Sequence, residues 1–208
     1  MDKLKIGELL SNGFEILVKN PILLALGVVT NLSLILVESK ITTKSILGLI
    51  IWLLVSPYFI GLIVRFIYET REKKPSWQEL SKFALRKYTP LLIIYIICYI
   101  VTFVGVVLFI IPGIFLSIKL IMCDYGIILE NEGVIASLKR SWTITKGNWW
   151  RLLALSLVLY LPIIIFSFFE SLFPKIIYIL LNLLFVSCVF VWFQSTFTLA
   201  YLRLREIK

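Results

Sequence analysis

The sequence predicts an all-α, polytopic membrane protein: six transmembrane helices in three hairpins, each preceded by a cytoplasmic amphipathic interfacial helix. Two observations carry this prediction. Of the 208 residues, 60% are hydrophobic and the mean hydropathy is +0.99, whereas a soluble domain has about 45–50% apolar residues. The apolar runs are solid and about 20 residues long, the length of helix that crosses a hydrocarbon core of about 30 Å. A membrane β-barrel would instead alternate with period two.

The first predicted unit covers residues 6–68. Ile6, Leu9 and Leu10 begin the apolar face of an amphipathic helix over 6–18, which ends before Pro21 because a residue preceding proline is disfavoured in the α region. The first crossing is predicted over 21–37 and the second over 45–68.

The second predicted unit covers residues 76–130. Ser76 and Glu79 have the spacing of a capping box, so an amphipathic helix is expected to start there. The third crossing, 90–111, and the fourth, 112–130, follow with almost no loop between them.

The third predicted unit covers residues 133–202. It holds a surface helix at 133–146, a fifth crossing at 149–169 and a sixth at 175–202. Phe14, Phe83 and Trp142 each precede the start of a spanning helix by seven residues. This rhythm indicates three parallel repeats within one domain, although any protein with juxtamembrane helices would show a similar rhythm by chance.

Basic residues predict the orientation. The loops near 40 and 175 hold Lys40, Lys44 and Lys175, while nearly all other lysines and arginines fall on the opposite side. Since cytoplasmic loops carry the excess of positive charge, both termini are expected in the cytoplasm of a multi-pass cell-membrane protein.

A set of motifs between residues 111 and 151 resembles a known family. They are Pro112-Gly113, Lys119, Glu130, Ala136, Lys139-Arg140-Ser141-Trp142, Thr145, Lys146-Gly147 and Trp150-Arg151, followed at the C-terminal end by Tyr201-Leu202-Arg203-Leu204-Arg205. The stretch is similar to the membrane domain of some glycerophosphoryl diester phosphodiesterases and to related stand-alone six-helix proteins. The catalytic residues of the soluble phosphodiesterase domain have no counterpart here. The resemblance implies a polytopic helical protein and no established chemistry.

Two charged residues within the fourth crossing are the main candidates for a functional site. Lys119 and Asp124 lie in apolar sequence, where an unpaired charge costs several kcal/mol. Five residues correspond to about 140° of helical rotation, so each needs a partner on another helix, or water. One interpretation is a polar substrate or ion pathway, and the other is ion pairing or hydrogen bonding inside the bundle. The polar residues of other crossings that belong to the predicted pathway are Asn31, Tyr99, Asn182 and Gln194.

A basic and aromatic belt surrounds the start of the fifth crossing. Its members are Lys139, Arg140, Trp142, Lys146, Trp149, Trp150 and Arg151. Such belts anchor helices at the membrane interface, and a site for anionic lipid head groups is the alternative. Membrane lipid is therefore the expected partner, and a homo-oligomer is left open.

Catalysis has little support in the sequence. Without histidine there is no histidine-based triad or zinc site, and no glycine-rich phosphate loop occurs. We therefore expect no enzyme, cofactor or metal. The net charge of +9 flanks the apolar runs, which favours lipid over nucleic acid. Cys98 and Cys123 fall at similar depth on consecutive helices, so a contact between them is an expectation of lesser weight.

Two functional classes remain. The first is a transporter or channel-like protein for a small solute or lipid, with a polar site in the helix bundle. The second is a non-transporting scaffold that binds anionic lipid or docks a cytoplasmic partner. A transporter needs the buried charges to face a cavity, whereas a scaffold needs them paired and dry.

Overall fold

The computed structural model of the protein describes residues 4–36, 43–71 and 75–207, which are helical and contain no β-strand. The all-α prediction is confirmed for this part of the chain. Lys40, Lys73 and Lys74 lie outside the described residues. Two 3₁₀ helices cover Leu32–Leu36 and Glu170–Leu172. The α-helices are α1 (Ile6–Lys19), α2 (Pro21–Asn31), α3 (Thr43–Thr70), α4 (Trp77–Leu108), α5 (Ile110–Leu120), α6 (Cys123–Leu129), α7 (Val134–Ile144), α8 (Trp149–Ser167) and α9 (Lys175–Ile207).

Several helices are long and apolar enough to cross a membrane, as expected of an integral membrane protein. Within the described residues there are five such segments, namely Thr43–Thr70, Trp77–Leu108, Ile110–Leu129, Trp149–Leu172 and Lys175–Glu206. A sixth is reached only by counting α1 and residues 21–35 as one span, although they are bent by 93°. The predicted first crossing is therefore not one spanning α-helix, because α2 ends at Asn31 and continues as a 3₁₀ turn.

The second amphipathic segment differs from its prediction. A separate interfacial helix was expected to end before Pro90, but α4 runs unbroken from Trp77 to Leu108 with Pro90 inside it. Proline is tolerated inside membrane helices when neighbouring groups satisfy the freed backbone, so Pro90 does not mark a boundary between two helices. The amphipathic and spanning segments of this unit thus form one continuous helix.

Helix α9, at the C-terminal end of the chain, packs against the N-terminal helices. It packs against α1, α2, α3 and α8, and contributes Val191 to one apolar core and Phe197 and Tyr201 to another. Close approach depends on small residues, as is common between membrane helices. A Cβ placed on Gly13 of α1 would lie 2.2 Å from Oγ1 of Thr196 on α9.

The fourth crossing is broken in its middle. Helix α5 ends at Leu120 and α6 begins at Cys123. Ile121 and Met122 lie between them, which places Lys119 at the end of one half-helix and Asp124 at the start of the next. The charged residues that drew attention in the sequence therefore flank a break in the helix.

The exposed apolar side chains concentrate towards one end of the bundle. Ile111 is 81% exposed, Phe168 77% and Ile176 75%, and all three lie near the α4–α5 and α8–α9 connections. The other end carries Glu130, Arg140 and Arg203, and we call it the basic end. Exposed apolar surface of this extent is typical of a lipid-facing protein.

Candidate functional site

A cavity of about 640 Å³ lies between the helices beside the break in the fourth crossing, and exposed wall residues such as Tyr99 and Tyr160 leave it partly open to the surface. Ligand pockets commonly measure about 300–1,000 Å³ and combine apolar walls with a few polar groups. The polar and aromatic residues of the wall are Asn31, Trp52, Tyr95, Tyr99, Thr102, Ser117, Asp124, Tyr125, Ser156, Tyr160, Phe190, Phe193 and Gln194. These residues come from α2, α3, α4, α5, α6, α8 and α9, so the cavity exists only in the assembled fold.

Asp124 is the charged residue of this cavity wall. Its side chain is 6% exposed. Oδ2 accepts a hydrogen bond from the Tyr95 hydroxyl at 2.8 Å, and Oδ1 accepts one from the backbone N–H of Tyr125 at 3.1 Å. Both bonds hold the carboxylate at the N-terminal end of α6, where the partial positive charge of the helix favours an anion.

The predicted polar residues divide between the cavity wall and other places. Asp124, Asn31, Tyr99 and Gln194 line the cavity, whereas Lys119 and Asn182 are not among its lining residues. Asn182 is half-buried on α9.

The two amides in the wall also tie helices together. Asn31 accepts a hydrogen bond from the indole of Trp52 at 3.2 Å and donates one to Ser187 at 3.4 Å. Gln194 accepts one from the Tyr125 hydroxyl at 3.2 Å. Each amide therefore both lines the cavity and crosslinks neighbouring helices.

Ser141 on α7 closes the break between α5 and α6. Its hydroxyl donates to the carbonyl oxygen of Lys119 at 2.7 Å and accepts from the backbone N–H of Met122 at 3.2 Å. The ends of helices carry backbone groups without intrahelical partners. Ser141 satisfies one such group at the end of α5 and one just before α6, so α7 supports the geometry that places Asp124 at the cavity.

Lys119 faces α7. Its side chain is 7% exposed, and Nζ lies 5.2 Å from the centroid of the Trp142 ring and 5.7 Å from that of Phe115. Aromatic faces within about 6 Å stabilise an ammonium group. The structure therefore separates the two candidate charges: Asp124 lies at the cavity, and Lys119 lies in an aromatic pocket beside α7.

A polar cluster closes the basic end of the bundle. Oε1 of Glu130 accepts hydrogen bonds from Nη2 of Arg140 at 2.9 Å and from the Tyr201 hydroxyl at 2.7 Å. Tyr201 also stacks on Tyr125 at 5.5 Å between ring centroids. Burial, together with the neighbouring Glu130 carboxylate, raises the pKa of Glu132. Glu130, Arg140 and Tyr201 belong to the motifs quoted above, and the fold brings them together from three separate segments.

The other members of the basic and aromatic belt have mixed environments. Lys139 is exposed, and Trp150 is 76% exposed. The Trp149 indole donates to the carbonyl oxygen of Phe115, and Arg151 donates to Asn148. Lys146 lies near enough to Lys119 for the two positive charges to interact. Trp149 and Arg151 of the belt thus make hydrogen bonds within the protein.

Some residues of the cavity were not singled out from the sequence. Trp52, Ser156 and Tyr160 lie within uniformly apolar runs, where no periodicity distinguishes a cavity wall from a lipid-facing surface. Cys98 and Cys123 were expected in contact only as a lesser alternative, and their sulfur atoms are 3.2 Å apart in the wall.

One known protein family matches the part of the chain that contains most of this site. Residues 89–204 match the model of a family described as a domain of unknown function, DUF7847. The chain belongs to this family. The matched range is more than half of the chain and includes the broken helix, α7 and the cavity-lining parts of α4, α8 and α9. No curated protein and no solved structure shows a significant match.

Proposed function

We propose that this protein binds a small amphiphilic solute or lipid inside its helix bundle and carries it across the membrane. The observation that carries the proposal is the cavity of about 640 Å³, with Asp124 in an otherwise largely apolar wall. An amphiphile would place its chain against the apolar wall and its polar group near this carboxylate. Kinship with the membrane domain of glycerophosphoryl diester phosphodiesterases is part of the proposal and is supported by the motifs between residues 111 and 151.

The position of Asp124 favours transport over a scaffold role. A scaffold would keep its buried charges satisfied and away from open space, and Lys119, which lies against aromatic rings outside the cavity wall, is compatible with that description. Asp124 is not, because it borders the cavity. A polar group at the half-way break of a spanning helix is also the arrangement by which many transporters form a central site.

Flux measurements on purified protein in liposomes test the proposal. The probes are three fluorescent amphiphiles with zwitterionic, anionic and cationic head groups, followed by quenching with an external reductant. We expect at least one to cross faster than in protein-free vesicles. Ser117→Phe, which fills space in the cavity wall, should abolish the added flux. Ser167→Phe is the matched control, because Ser167 is exposed at the end of α8.

The proposal fails if no probe crosses faster than in protein-free vesicles. It also fails if both phenylalanine variants reduce the flux equally, since the loss would then be unrelated to the cavity.

A further inference from the structure

The carboxylate of Asp124 lacks a positively charged partner within the described residues. The ion pairs there involve Glu8, Glu15, Glu69 and Glu130, and the buried Lys119 is engaged with aromatic rings elsewhere. The hydrogen bonds to Asp124 come from neutral groups. A buried charge without a counter-charge is costly, so the site is suited to a ligand that brings a positive charge.

Three aromatic rings line the cavity on the side of this carboxylate. On α4 the rings of Tyr95 and Tyr99 are stacked with centroids 6.4 Å apart, and the Tyr99 ring meets that of Trp52 at 6.3 Å. All three line the cavity, and Tyr95 itself donates to Asp124. Faces of tyrosine and tryptophan attract organic cations, and the attraction strengthens when water is excluded.

We infer that the cavity binds a lipophilic organic cation, with Asp124 as its counter-charge and Trp52, Tyr95 and Tyr99 around its charged centre. This inference rests on the proposed function, because it names the chemical class of ligand for the same cavity. An anionic ligand of the same shape would be repelled by Asp124 and would find no compensating lysine or arginine among the described residues of the wall.

Equilibrium dialysis against purified protein in phosphatidylcholine nanodiscs tests the inference. The probes are tetraphenylphosphonium and tetraphenylborate, which have the same shape and opposite charge, and empty nanodiscs give the background. We expect saturable binding of the phosphonium and none of the borate. Asp124→Asn keeps the acceptor for Tyr95 but removes the charge, so the affinity for the phosphonium should fall at least about tenfold.

Two further variants separate the site from the rest of the molecule. Trp52→Leu should weaken phosphonium binding several-fold, because one aromatic face is lost. Glu170→Gln removes an equal charge from an exposed position in the 3₁₀ helix that follows α8, and its affinity should equal that of the wild type. A thermal unfolding curve for each variant establishes that it is folded.

Equal binding of the two probes, or equal affinity of Asp124→Asn and wild type, would overturn the inference. If an amphiphile crosses the liposome but the phosphonium does not bind, the ligand class is wrong and the proposed transport stands. If the phosphonium binds through Asp124 but no probe crosses, the ligand class stands and transport is wrong.

Discussion

Ser141 shows how one small side chain determines the site without lining it. A serine in an amphipathic segment is usually expected to bond within its own helix. The neighbouring Thr145 does so, because its hydroxyl donates to the Ser141 carbonyl at 2.8 Å. The Ser141 hydroxyl does something different, because it bridges both sides of the break in the fourth crossing. No local pattern announces such a bond, since its partners lie 22 and 19 residues away.

Ser141→Ala should lower the free energy of unfolding by about 1–3 kcal/mol, because it leaves buried backbone groups of Lys119 and Met122 without a partner. Titration with sodium dodecyl sulfate in mixed micelles measures the change. Ser167→Ala is the control, because the Ser167 hydroxyl is exposed and donates to the carbonyl of Ile164 in its own helix. The control should cost less than about 0.5 kcal/mol. Equal effects of the two variants would show that Ser141 does not bridge the break.

Helices α1 and α7 show why an amphipathic pattern describes only one face of an element. On α7, the large apolar side chains of Ile135 and Trp142 are exposed, while Ser137 is buried against α6 and Ser141 against the break between α5 and α6. On α1, the large side chain of Phe14 is 48% exposed, whereas Gly13 is buried against α9. Small residues permit close packing between helices, and hydropathy alone does not reveal them.

Gly13→Ala on α1 should destabilise the protein by about 1–3 kcal/mol, because overpacking forces helices apart. The added Cβ would lie 3.0 Å from backbone atoms of Thr196, which cannot rotate away. Gly7→Ala is a matched control on the same helix, since a Cβ there meets no atom of the described residues within 4 Å. It should be neutral or stabilising by up to about 1 kcal/mol. Thermal unfolding in detergent compares the two, and identical melting temperatures would place α1 away from α9.

At the scale of the whole molecule, the charges are sorted by position. The basic end gathers the cluster of Glu130, Arg140 and Tyr201 and the ion pair between Glu8 and Arg203. The opposite end is largely apolar and exposed. The positive-inside tendency supports our proposal that the basic end faces the cytoplasm.

Labelling of single cysteines in intact cells tests this orientation. In a variant without native cysteines, Glu170→Cys should react with a membrane-impermeant maleimide. Gly133→Cys should react only after permeabilisation. Both sites lie in connections between long helices, and in the described part of the chain a Cβ at Gly133 meets nothing within 4 Å. Labelling of Gly133→Cys before permeabilisation would reverse the proposed topology.

The sequence by itself determined the fold class, because the hydropathy of a run of about 20 residues is a local sum that needs no knowledge of neighbours. It also pointed to Asp124, Asn31, Tyr99 and Gln194, since polar groups are conspicuous among apolar ones. Only the tertiary structure decided that these four share a cavity and that Lys119 lies elsewhere. Only the tertiary structure showed that the fourth crossing is broken. These properties depend on contacts between helices distant in sequence, and burial, cavities and hydrogen-bond partners exist only once those helices pack.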